Sequence, residues 1–178
     1  MEAWGFKVMC FFLLLFEFGE CGKSPPSGPF KTTIISIKDC IKPSKPYLGD
    51  PPVVFNGVIQ NDTLGGNITF LRDTRNMKVR VKSFMMRNGK WKQVYLFNNP
   101  DCHGMVLHVI CMMMNVKYDR KTCMYFKGSY TFDNIDVNQL LHVWVSTAIY
   151  GRVLWRAETY MQSGTFYCKE FDTTCEPA

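Results

Sequence analysis

Residues 77–84 alternate apolar and basic side chains, with Met77, Val79 and Val81 on one side and Lys78, Arg80 and Lys82 on the other. A period of two is the pattern of a strand with one face buried and one in water, and it commits this stretch to an antiparallel sheet. Arg87-Asn88-Gly89-Lys90 follows. Its Asn-Gly pair is the signal for a two-residue hairpin, and residues 91–97 supply the returning strand. Similar signals recur along the chain. Residues 32–39 are β-branched and run into Cys40, while residues 41–52 carry four prolines and read as a loop. Residues 53–60 form a second strand, residues 61–66 a turn, and residues 67–72 alternate again. Residues 124–132 and 143–150 are strand-like. Residues 151–160 set Val153, Trp155 and Ala157 against Arg152, Arg156 and Glu158. Gln162-Ser163-Gly164 turns the chain into a final strand at 165–171. Residues 105–116 fit either a short helix or an irregular strand. Residues 23–29, rich in Pro, Ser and Gly, form a flexible entry. About eight strands with turns between them predict an all-β, antiparallel two-sheet sandwich.

Residues 1–22 read as a removable signal peptide. Lys7 gives a basic start, residues 8–16 are an apolar run, and Gly19, Cys21 and Gly22 are small residues near the cleavage point. The run is shorter than the roughly 20 residues that span a bilayer. Residues 23–178 are then expected to form a single secreted domain. Losing Lys7 and three glutamates leaves 20 basic and 12 acidic residues, a charge of about +8. That balance suggests an anionic partner, such as acidic lipid headgroups or sulfated glycans. The charges are dispersed and no nucleic-acid motif accompanies them, so no nucleic acid partner is expected.

Of eight cysteines, Cys10 and Cys21 belong to the leader. Cys40, Cys102, Cys111, Cys123, Cys168 and Cys175 remain, and an even count in a secreted chain implies three disulfides. Six cysteines allow fifteen connectivities, so the count alone leaves the pairing open. No two lie at the short spacing zinc sites use, and no metal is expected. The sequons Asn61-Asp62-Thr63 and Asn67-Ile68-Thr69 mark Asn61 and Asn67 as glycosylation candidates.

The signatures of catalysis are missing from the sequence. His103, His108 and His142 form no HExxH pattern, and no nucleophile elbow, phosphate loop or dinucleotide motif occurs. Asp133 and Asp136 are the nearest carboxylate pair, and a turn accounts for them. No catalytic residue or cofactor is expected, and the chain reads as a non-enzyme. In contrast, soft apolar residues are abundant. Met112-Met113-Met114 suits a wall that adapts to a ligand, although ordinary core packing explains it equally well. Trp91, Trp144 and Trp155 divide the same way between core and cavity lining.

Residues 123–130, Cys-Met-Tyr-Phe-Lys-Gly-Ser-Tyr, resemble the Cys-Pro-x-x-x-Gly-x-Tyr stretch of the ML (lipid-recognition) superfamily, in its ganglioside activator-like branch. Other landmarks follow in a similar order: Asp39-Cys40, Gly66-Asn67-Ile68-Thr69, Gly89-Lys90-Trp91, then Cys102, Cys111, Trp144-Val145-Ser146-Thr147, Tyr150 and Cys168. The resemblance covers about residues 32–172. It implies an immunoglobulin-like sandwich with an apolar cavity between the sheets. It also implies bridges Cys40–Cys168 and Cys111–Cys123, which leaves Cys102 with Cys175. Residues 135–145 match the mobile apolar loop at the family's cavity mouth. Ligand contacts are accordingly expected from Val81, Met112, Met114, Leu140, Leu141, Trp144 and Trp155.

Met124 in place of the proline, and the wide spacing of Cys102 and Cys111, look more like divergent arthropod members with chemosensory roles. The implied function is a secreted, non-enzymatic lipid carrier or presenter. Its ligand would be a fatty acid, sterol, glycolipid or pheromone-like hydrocarbon, and its partners a membrane surface or a receptor. The lysosomal lumen is the alternative compartment. An immunoglobulin-like interaction protein or co-receptor with a filled core is the alternative function.

Overall fold

The computed structural model describes residues 26–98 and 100–178. The expected signal peptide at 1–22, with Cys10 and Cys21, lies outside the described residues. Strands hold 59% of the described residues and helices 10%, so the class is all-β. In chain order the strands are β1 (Ser27–Gly28), β2 (Phe30–Asp39), β3 (Val53–Gln60), β4 (Thr63–Phe70), β5 (Thr74–Arg75), β6 (Lys78–Arg87) and β7 (Lys90–Asn98). Then come β8 (Tyr118–Asp119), β9 (Met124–Tyr125), β10 (Gly128–Asp136), β11 (Ala148–Ile149), β12 (Gly151–Met161) and β13 (Gly164–Pro177). Helices α1 (Met105–Met113) and α2 (Val137–His142) interrupt them.

Two sheets make the sandwich. One runs β2-β13-β12-β6-β7 and the other β10-β4-β3, with antiparallel ladders throughout. The β6–β7 hairpin turns on Asn88 (φ 50°) and Gly89 (φ 72°), the left-handed pair that a tight hairpin requires. Period-two alternation sends Val79 and Val81 of β6, Val153, Trp155 and Ala157 of β12, and Phe171 and Thr173 of β13 to the inner face. Trp155 is fully buried there, and its indole N–H donates to the Thr173 hydroxyl at 3.2 Å. The polar end of a large ring is thereby satisfied inside the core.

Four ladders slip by one residue, the β12–β13 ladder among them, where β13 carries Phe166 as an extra residue. β2 carries Ile35 as an extra residue against β13, β7 carries Val94 against β6, and β10 bulges between Phe132 and Ile135. The slip in β2 changes which side chains face in. Phe30, Thr32 and Ile34 point inward before it, and Ile37 and Asp39 after it, in place of Ser36 and Lys38.

The outer face of the larger sheet buries one carboxylate. Glu158 is 1% exposed beneath the 41–52 segment. The Ser44 hydroxyl donates to its two oxygens at 2.8 and 2.7 Å, and Arg80 and Arg156 pair with it at 3.1 and 3.2 Å. Burial works against the charge, but the Ser44 hydroxyl and amide, with Arg156 and Lys82, hold the carboxyl below the usual range.

Several sequence expectations are corrected. Residues 143–150 are not a strand: α2 ends at His142, and only Ala148–Ile149 pair, with β1. Of the 23–29 entry, Ser27–Gly28 therefore forms a short strand. The 61–66 turn shrinks to Asn61-Asp62, because β4 runs straight through Gly65 and Gly66. The last strand continues past Phe171 to Pro177.

The structure holds the Cys40–Cys168 bridge, but the other two implied pairs are replaced. Cys102 bonds Cys123, their Cα atoms 5.5 Å apart, and Cys111 and Cys175 are buried free thiols. Cys102 and Cys175 pack into separate core clusters, so they cannot meet. Cys111 is left without a partner because Cys123 is taken. Two bridges, not three, staple the described residues.

Candidate ligand cavity

Between the two sheets lies a cavity of about 240 Å³. Its walls come from both sheets. The larger sheet contributes Ile34, Ile37, Val79, Val81, Trp155, Ala157 and Phe171, and the smaller one Val53, Phe55, Ile59, Leu64, Ile68 and Phe70. The two helices line it by the same rule. α1 turns Leu107, Ile110, Cys111 and then Met114 inward, and the α2 region turns Val137, Leu140, Leu141 and Trp144 inward. Both sets follow i, i+3, i+4, i+7, one apolar stripe along a helix. α2 is fixed at its start by Asp136, whose carboxylate accepts from the Asn138 amide at 2.7 Å. It is tied to the edge of β2 by the Thr32 amide, which donates to the Asn138 side chain at 2.6 Å.

Gly57 and Gly66 pair directly across β3 and β4 on the inward side. A side chain at Gly57 would strike the Phe55 ring, and one at Gly66 the Asn56 carbonyl. The Phe55 ring therefore lies over the glycine pair, and Gly57 forms part of the cavity floor beside it.

Six of the seven expected ligand contacts are brought together here: Val81, Met114, Leu140, Leu141, Trp144 and Trp155. Met112 is not among them. It is 64% exposed, on the opposite side of α1 from Leu107 and Cys111. Trp91 also points outward, beneath the Arg152 guanidinium at 5.8 Å. Sequence reasoning missed Phe55, Ile37, Gly57, Tyr167 and Lys169. The inward phase of β13, with Lys169 between Tyr167 and Phe171, is the signal that could have found the last two.

Polar groups on the wall are few. Burial pushes the Cys111 thiol up to about 12, so it stays protonated. Burial raises the Tyr167 phenol as well, with the Asp39 charge adding to it. Lys169 is the one charged residue among the described lining residues. The histidines lie elsewhere: His108 Nδ1 meets the Tyr118 hydroxyl at 2.7 Å, and His142 stacks on Phe30. Cys102, His103 and Cys123 cluster closely, but both sulfurs are committed to their disulfide. Asn61 is exposed in its turn, whereas Asn67 is half-buried on the outer face of β4.

What these walls offer a guest is apolar contact along most of its length and charge at one end. No protein-family model matches the chain, and no curated protein matches it either.

Proposed function

We propose that the protein is a secreted, non-enzymatic carrier or presenter of a lipid-like ligand, in the manner its resemblance to the ML superfamily implies. The cavity between the sheets carries this reading. An apolar chain moved from water onto such walls gains about 0.8 kcal/mol per methylene. The interaction-protein alternative needs a filled interior, and the open space lined from both sheets argues against one. Secretion is supported by the leader-like sequence of residues 1–22 and by the two disulfides. No helix among the described residues is long and apolar enough to cross a membrane. A role in chemosensation or lipid transport belongs to the same reading, with a membrane surface or receptor as the acceptor.

Native mass spectrometry and lipid extraction of protein from its own secretory source test the proposal. A stoichiometric co-purifying lipid, or saturable uptake of a fluorescent fatty acid or sterol, is the expected result. A folded protein that holds no lipid and takes up neither probe would refute it.

A further inference from the structure

Lys169 occupies a position where a strand against a core ordinarily carries an apolar side chain. β13 alternates Tyr167, Lys169, Phe171 and Thr173 along the cavity wall. A lysine tolerates such a site by laying its methylene stem along the wall and holding its ammonium at the rim. The side chain is 30% exposed, and its ammonium lies 2.7 Å from the Asp39 carboxylate. Asp39 stands opposite because the extra residue in β2 turns it to the inner side. Its side chain is 82% exposed, so it remains hydrated while it pairs. An ion pair of this kind is weak, and its carboxylate is replaceable. Ile37, the preceding inward residue of β2, both lines the cavity and is 39% exposed, which places an opening beside this pair.

Resting on the carrier reading of this same cavity, we propose that the ligand is a single-chain amphiphile with an anionic head, its chain between the sheets and its head on the Lys169 ammonium in place of Asp39. The size of the space supports one chain. At about 240 Å³ it falls below the roughly 300–1,000 Å³ of pockets for drug-sized ligands, and a two-chain lipid does not fit. The charge pattern supports the sign of the head. A sterol or hydrocarbon would leave the ammonium with only its hydrated partner. A carboxylate or phosphate gains a charge-assisted hydrogen bond there.

Calorimetry of the full secreted chain with decanoate, decyl phosphate and decanol at neutral pH tests this. The two anions are expected to bind about tenfold more tightly than the alcohol, a difference of about 1.4 kcal/mol. The tighter of the two identifies the head as carboxylate or phosphate. Lys169→Met should bring the anion-to-alcohol ratio close to one. Asp39→Asn, at an exposed site, should raise the affinity for decanoate by removing its competitor. Equal binding of anion and alcohol by the unaltered protein would overturn the head site and leave the carrier reading standing. Binding of none of the three would overturn the single-chain amphiphile, and the carrier reading falls with it only if the fluorescent sterol and fatty acid are refused as well.

Discussion

Met112 and Met114 sit two residues apart and have opposite fates. A stripe that starts at Leu107 and advances through Ile110 and Cys111 ends on Met114, while Met112 falls on the outward side of α1. The expected outcome is that Met112→Gln changes urea stability by no more than about 0.5 kcal/mol and leaves fatty-acid uptake intact. Met114→Ala should cost about 2 kcal/mol, from lost burial and a widened cavity. Equal effects at the two positions would contradict the placement of α1. In the sequence the two methionines were indistinguishable, because the segment satisfied neither period cleanly. Only a commitment to helix separates them. Val81 and Trp155 were easier to read, since each lies in a strand whose alternation is plain. Lys169 was overlooked for the opposite reason: a charge among inward positions contradicts the pattern that defines those positions.

At the level of elements, a strand with a plain period of two was legible nearly to its ends, as β12 shows, and the β6–β7 hairpin was legible from its Asn-Gly turn but without the extra Val94. α2 was not. Its β-branched flanks, Val143 and Val145, suggested a strand. Yet Asp136 followed by Val137, Leu140, Leu141 and Trp144 is a capped apolar stripe, and packing of that stripe over the cavity overrides local propensity. The 41–52 segment read correctly as a loop, but its anchor could not be foreseen. Glu158 and Ser44 lie far apart in sequence and meet only once β12 is in its sheet. Their contact sets a pH dependence. A carboxyl held below its usual range contributes stability that is fully present above its unfolded value, about 4.3, and is lost as pH falls through the folded value. Glu158→Gln takes the counter-charge from Arg80 and leaves Arg156 only its longer pair with Glu170 at 3.8 Å, and should cost about 3 kcal/mol at pH 7. Urea midpoints measured from pH 7 downward should show the gap between variant and parent closing in acid. A gap that stays constant would refute the role given to this carboxylate.

Over the whole molecule, the cysteines foretold disulfides and one bridge, Cys40–Cys168, but not the partner of Cys102 nor the two thiols left free. Parity favours complete pairing, but Cys111 and Cys175 behave as small apolar residues in two separate core clusters. Loop length ranks the two bridges that exist. Cys40–Cys168 closes 128 residues and Cys102–Cys123 closes 21. Chain entropy then assigns them about 5 and about 3 kcal/mol. Paired serine substitutions at each bridge, followed by denaturant unfolding, should reproduce that order. If removing Cys102–Cys123 costs as much as removing Cys40–Cys168, the shorter bridge holds native structure beyond its loop.

The bulges have a consequence for how the protein behaves when concentrated. β2 and β7 are the two edges of the larger sheet, β10 is one edge of the smaller, and each carries an irregular residue that interrupts its row of hydrogen-bonding groups. Such interruptions discourage a second molecule from adding a strand. β3, the remaining edge, runs regularly from Val53 to Gln60 with Val58 62% exposed. Colloidal failure on storage should therefore begin at β3. Val58→Lys should delay the onset of light scattering at high concentration, whereas a lysine at Leu96 on the already bulged β7 should do little. In this sandwich, shelf life depends on the one edge that is still straight.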